Sequence, residues 1–121
     1  AEALGVDPSE VFKTLMAEVD GRPVCVIIPS DAEASMKKVA AVFSGKSAAM
    51  MKVPDAERLT GYKVGGIGPF AQKRQVPTAL DETAELFDRI YINAGQRGLL
   101  LHISPADALR AAGARLADLT A

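Results

Sequence analysis

Apolar side chains dominate Val11 to Val19 and again Val24 to Ile28, and the two runs flank Asp20-Gly21. Asp and Gly both tolerate positive φ, so the pattern predicts two antiparallel strands joined by a two-residue hairpin turn, with Pro23 opening the return strand. Ahead of them, Asp7-Pro8-Ser9-Glu10 places Asp at an N-cap, Pro at the first helical position and Glu three residues past the cap. That signature predicts a short helical turn running into the first strand. Ser30-Asp31-Ala32-Glu33 reads as a capping box. Met36, Val39, Val42 and Phe43 then recur at helical spacing, Lys37 and Lys38 lie on the other side, and Gly45 is expected to close that helix.

Further along, Ala48 to Val53 predicts a short strand and Pro54 to Leu59 a short helix stopped by Gly61. Val76 to Leu80 is a strand candidate whose Pro77 suggests a sheet edge or a strand start. Asp81 is expected to cap one turn through Leu86 and Phe87. Arg89 to Asn93 alternates and Leu99 to Ile103 answers it across Ala94-Gly95-Gln96-Arg97-Gly98. Ser104-Pro105-Ala106-Asp107 starts a last helix that Gly113 ends. Strands outnumber helices and hairpin-length links join most of them, which predicts an α+β domain with a mixed, largely antiparallel, barrel-like sheet flanked by helices. With 121 residues and no linker or repeat, residues 1–121 are expected to form a single domain. A helix cap at residue 7 with no strand before it suggests that an upstream segment precedes this sequence.

Composition removes several classes. The chain is 49% hydrophobic with a formal net charge of −1, outside the disordered range. One cysteine, Cys25, excludes a disulfide scaffold. No apolar run exceeds five residues, and the opening Ala1-Glu2-Ala3 has no basic start, so neither a membrane span nor a signal peptide is expected. The expectation is a cytoplasmic domain without membrane contact. Charge is distributed unevenly: Lys37 to Arg74 carries +6 and the rest −7. A near-neutral chain of this kind can present one positive face to phosphates, although a solvated helix face gives the same numbers. A protein that wraps duplex DNA would be more basic, so one strand end suits this chain better than DNA.

Few residues can carry chemistry. Lys13 shares its strand face with Val11, Leu15, Ala17 and Val19. A partly desolvated ammonium there would hold a phosphate or stabilise a developing oxyanion; alternatively its stem packs and its head reaches water. Gly65-Gly66-Ile67-Gly68-Pro69 fits neither a dinucleotide fingerprint nor a P-loop. Its glycines let backbone amides approach a ligand, or form a tight corner. Lys73-Arg74 follows that segment, as a phosphate contact or a solvated pair. The lone His102 lies among Leu and Ile and reads as a core or edge residue rather than a base, and Cys25 as inert packing. No metal-ligand spacing and no Ser/His/Asp triad is present, and no cofactor is expected. If the chain is a hydrolase, its nucleophile is water or a group of the substrate.

Phe12-Lys13-Thr14-Leu15, the stretch Thr60-Gly61-Tyr62-Lys63-Val64-Gly65-Gly66-Ile67-Gly68-Pro69, Gln72-Lys73-Arg74, Pro77-Thr78 with Asp81, and Gly95-Gln96-Arg97-Gly98-Leu99 follow one another in an order that resembles the YbaK/ProX family of trans-editing aminoacyl-tRNA deacylases. That family is related to the editing domain inserted in bacterial prolyl-tRNA synthetases. The glycine stretch and Gly-x-Arg-Gly-Leu look closest to its Cys-tRNA(Pro) deacylases. The resemblance implies a barrel-like sheet flanked by helices and Lys13 as the essential lysine. It implies that Gly65, Gly66, Ile67, Gly68 and Pro69 line the aminoacyl pocket, with Thr14 beside it. It implies that Lys73, Arg74 and Arg97 meet the phosphates of the tRNA 3′ acceptor end. The implied reaction is substrate-assisted cleavage of the ester on mischarged tRNA, with prolyl-tRNA synthetase as an associated partner. Close relatives often carry an acid just after Gly-x-Arg-Gly-Leu, where this chain has Leu100 and Leu101. The residues alone also fit a non-catalytic module that binds tRNA or a synthetase, or a small-molecule domain built on the glycine segment.

Overall fold

The computed structural model describes residues 7–61, 76–96 and 99–121. Asp7 caps a 3₁₀ turn, Pro8–Glu10, by accepting from the Ser9 N–H. Ser9 N–H and hydroxyl hold the Asp7 carboxyl below its ordinary pKa. The chain then enters β1 (Val11–Val19) and returns as β2 (Arg22–Pro29). The turn between them has Asp20 at φ 51° and Gly21 at φ 81°, the double left-handed geometry of the expected hairpin. The Asp20 carboxylate also accepts from the Lys46 and Ser47 N–H groups, tying the hairpin tip to the loop before β3 (Ala48–Met50).

The first helix, α1 (Met36–Val42), starts later than its sequence signature suggests. The cap is Ser35, whose hydroxyl accepts from the Lys38 N–H at 3.3 Å. Ser30 is occupied elsewhere: its hydroxyl donates to the Pro8 carbonyl at 2.8 Å and its N–H to the Val11 carbonyl at 2.7 Å. Residues between are held by Ala34 bridging Thr120 and by the Ser35 N–H donating to the Leu119 carbonyl. At the other end the left-handed residue is Ser44, at φ 58°, rather than Gly45. Gly45 donates its N–H to the Ala40 carbonyl at 2.8 Å. A Cβ at Gly45 would lie 2.1 Å from Val19 Cγ1, so glycine is required there by close approach. Val19 is buried and β-branched and cannot rotate away cheaply. Gly45→Ala should therefore cost about 1–3 kcal/mol of stability, the range for overpacking, read as a lowered denaturant midpoint.

The remaining elements are α2 (Val53–Thr60), β4 (Thr78–Asp81), a 3₁₀ turn (Glu82–Leu86) capped by Asp81, β5 (Ile90–Gln96), β6 (Leu99–Ile103), α3 (Pro105–Ala112) and β7 (Ala114–Ala117). Gly61 (φ 82°) and Gly113 (φ 62°) end α2 and α3. The sheet order is β6-β5-β1-β2-β4-β7, with β3 also on β1. The long ladders β1–β2 and β5–β6 are antiparallel; β1–β5, β2–β4 and β4–β7 are parallel. The result is a curled, half-barrel sheet with helices on both sides. Thr78–Asp81 is an inner strand, so Pro77 marks a strand start and not an edge.

Alternation along the strands divides the core in two. Phe12, Ile27, Leu80, Ile90 and Ile92 pack with Ala108 and Ala112 of α3. Met16, Cys25 and Val76 continue that face beneath Ala56 of α2. Ala17, Val19, Val24, Val26, Ile28 and Ala79 fill the opposite face against Val39 of α1 and Leu119 of the C-terminal tail.

Candidate active site

β1 is paired with β2 along Phe12–Val19. On its other edge it meets β5 only at Val11 and Phe12, and β3 only at Ala17–Val19. One further bond, Met51 N–H to the Met16 carbonyl at 3.0 Å, extends the contact beyond β3. Lys13, Thr14 and Leu15 therefore have no strand partner on that edge among the described residues. Among the described residues the sheet has a gap there, and backbone polar groups facing a gap must find partners in ligand, water or another segment.

Lys13 and Thr14 flank this gap from opposite faces, because neighbouring strand residues point oppositely. Lys13 is half-buried, opposite Ile28 in the hairpin, on the face that α1 covers further along. Its Nζ donates to the Ser30 carbonyl at 3.4 Å. Ser30 is itself pinned by its two hydrogen bonds to Val11 and Pro8, so the ammonium rests on a fixed acceptor. No carboxylate pairs with it among the described residues. A half-desolvated cation with one long hydrogen bond keeps most of its attraction for an incoming anion. Sequence reasoning missed Ser30 because it contributes a carbonyl, which any residue type can supply.

Thr14 is buried, at 8% exposure, and its Oγ1 has no hydrogen-bond partner among the described residues. Leaving a buried hydroxyl unpaired costs about 1–3 kcal/mol, so this atom awaits an acceptor or donor. Its face is the one on which Leu59 of α2 and Val76 pack around Met16.

The remaining expected site residues divide clearly. Gly65, Gly66, Ile67, Gly68, Pro69, Lys73, Arg74 and Arg97 lie outside the described residues. Cys25 is wholly buried, as an inert thiol should be. His102 is not core: it is exposed on β6, stacked on Tyr91 at 4.2 Å with 5° between ring planes. Leu100, where relatives often have an acid, is half-buried two residues from His102 and so shares its face. Among the described residues no group of three His, Cys, Asp or Glu side chains could hold a metal ion, and no helix is long and apolar enough to cross a membrane.

The chain as a whole has counterparts among known proteins. The aminoacyl-tRNA editing domain, as a family model, matches residues 1–111. The chain belongs to that family. It is thereby an enzyme of the aminoacyl-tRNA deacylase class. EbsC of Enterococcus faecalis, provisionally named a Cys-tRNA(Pro)/Cys-tRNA(Cys) deacylase, is 35% identical over 121 residues, 99% of this chain and 74% of that protein. The multifunctional Ser/Thr-tRNA deacylase ProXp-y of Escherichia coli is 28% identical over 123 residues, 98% of this chain and 74% of that protein. A crystal structure provisionally described as a trans-editing enzyme for prolyl-tRNA synthetase matches the fold with a TM-score of 0.92. It is 21% identical, and the match covers 100% of this chain and 76% of that one.

Proposed function

We propose that this editing domain cleaves the ester between cysteine and the 3′ adenosine of tRNA(Pro), acting in trans, with Lys13 as its electrostatic and anchoring residue. The observation that carries this reading is the gap beside Lys13. Lys13, half-buried and without a carboxylate partner or a neighbouring base among the described residues, lies on the stretch of β1 whose second edge has no strand partner among them. Such a site accelerates ester cleavage by holding the reacting carbonyl and stabilising charge on its oxygen. The attacking group is water assisted by the terminal ribose hydroxyl, or the cysteinyl thiol closing on its own carbonyl as a thiolactone, and its proton passes to the leaving oxygen. The scissile C–O bond breaks and the ribose oxygen leaves protonated.

Thr14 supplies a hydroxyl to the same opening from the other face. Gly65 to Pro69 would meet the aminoacyl group through backbone atoms. Lys73, Arg74 and Arg97 would meet the phosphates of the acceptor end. By the resemblance to the editing family, residues 1–121 would act as one domain in the cytoplasm, with prolyl-tRNA synthetase as an associated partner.

Leu100 favours a second reading. An apolar side chain where relatives often place an acid removes a partner for the substrate's α-amino group. A module that binds aminoacylated tRNA without turnover, or one that prefers another amino acid, fits that change. A panel of tRNAs charged with cysteine, serine, threonine, alanine and proline separates these readings. Cys-tRNA(Pro) should lose its amino acid fastest, and Pro-tRNA(Pro) should stay intact. Binding of every member without release would establish the non-catalytic module.

A further inference from the structure

The Tyr91–His102 stack has no part in the chemistry described above. Tyr91 pairs with Val11 in the parallel ladder, and His102 pairs with Tyr91 in the antiparallel one. Paired residues of neighbouring strands share a face, and Lys13 lies two positions beyond Val11. Lys13, Tyr91 and His102 therefore stand on one face of the sheet, with His102 roughly 12 Å from Lys13, two strand spacings across and two residues along.

His102 also lines an open cleft of about 570 Å³ with Glu10, Leu86, Phe87, Asp88 and Arg89. Leu86 is 78% exposed beside it, an uncommon position for a large apolar side chain. None of Glu10, Asp88 and Arg89 has an ion-pair partner among the described residues. Together these groups give an exposed aromatic face, an apolar wall, two carboxylates that can only accept hydrogen bonds and one guanidinium.

We propose that this cleft and the Tyr91–His102 stack bind a nucleobase carrying an exocyclic amino group, adenine, cytosine or guanine, from the 3′ end of the tRNA. The proposal rests on the deacylase reading and adds to it a base-recognition subsite. Unpaired bases stack readily on His and Tyr rings, and each such stack contributes about 1–3 kcal/mol. The carboxylates select among the bases. Glu10 or Asp88 accepts from adenine N6, cytosine N4 or the N1–H and N2 amino group of guanine, whereas uracil offers one N3–H flanked by two repelling carbonyl oxygens. Arg89 suits the adjoining phosphate. The same stack could serve only to cover the edge strand β6, as cross-strand aromatic pairs do.

Binding of 5′-labelled, unacylated RNA tetranucleotides ending in A, C, G or U, read by fluorescence anisotropy, decides between the two. The wild-type chain should prefer the A-, C- and G-ended probes over the U-ended one. His102→Ala should weaken them about tenfold at unchanged melting temperature, and His102→Phe should restore binding by restoring the ring. Glu10→Gln combined with Asp88→Asn should level the preference among the four probes. Equal affinity of His102→Ala and wild type, a preference for U, or no binding of any probe at millimolar concentration would overturn the subsite. Because the probes carry no ester, this result is independent of the mischarged-tRNA panel. Normal deacylation with an indifferent His102→Ala variant sinks the subsite alone, and probe binding without turnover on any tRNA sinks the deacylase alone.

Discussion

Lys13→Ala is expected to lower kcat/KM for release of the mischarged amino acid by about 10²–10³-fold, the scale of losing one donor to a developing oxyanion. Stability should hardly change. The side chain is half-buried and makes one long hydrogen bond, 3.4 Å, to the Ser30 carbonyl. Water can take the place of the ammonium on that carbonyl when the side chain is removed. Single-turnover release from pre-charged tRNA, beside a thermal melt, separates the two effects. If Lys13 anchors a phosphate, the loss falls mainly on KM; if it stabilises the transition state, it falls on kcat. Lys13→Arg keeps the charge but replaces a compact ammonium by a planar fork, so it should recover binding better than turnover. An alanine variant within a few-fold of wild type would take Lys13 out of the mechanism. A variant that loses activity only in proportion to lost folded protein would make it structural.

The largest stability effect is expected at Asp81. This carboxylate is fully buried. One oxygen accepts from the Leu119 N–H at 2.9 Å. The other accepts from the Thr83 hydroxyl at 2.6 Å and the Thr83 N–H at 3.3 Å. It therefore joins the end of β4, the 3₁₀ turn that follows and the C-terminal tail that closes one core face. Asp81→Ala strands these donors and opens a void, at a cost of about 3 kcal/mol. For a domain of this size that is on the order of 10 °C in melting temperature. Asp81→Asn keeps one acceptor oxygen and should lose less. The deacylation rate per folded molecule should stay near wild type, because Asp81 lies within the β4–tail junction and not at the gap. A melt of Asp81→Ala within about 2 °C of wild type would show that the tail docks without it.

Much of the fold was legible locally. Asp7, Asp81 and Ser104 accept from N–H groups two or three residues ahead, as their sequence contexts indicate. Gly61, Gly113 and the Asp20-Gly21 pair take the left-handed conformations their positions suggest. Each of these features is decided within a few residues. The misplaced cap of α1 shows where this stops. Ser30 and Ser35 are both good capping residues, and the choice between them fell to partners 22 residues away at Pro8 and far downstream at Leu119. Gly45 likewise looked like a helix terminator, and its necessity comes from Val19, on the other side of a hairpin. His102 read equally well as core or edge, since only the position of β6 at the sheet margin exposes it.

The candidate site follows the same division. Sequence alone determined the local elements, the absence of a nucleophile–base pair in the pattern, and the ordered motifs that mark an editing domain. These depend on residue type and spacing along one chain. Tertiary structure decided that β1 is shared between β5 and β3, leaving Lys13 to Leu15 without a strand neighbour on that edge among the described residues. It also set the Lys13 ammonium on the Ser30 carbonyl and left the Thr14 hydroxyl buried without a partner among the described residues. Parallel pairing and a break in a sheet have no local signature, because the residues that make them are brought together only when distant strands compete for the same backbone hydrogen bonds.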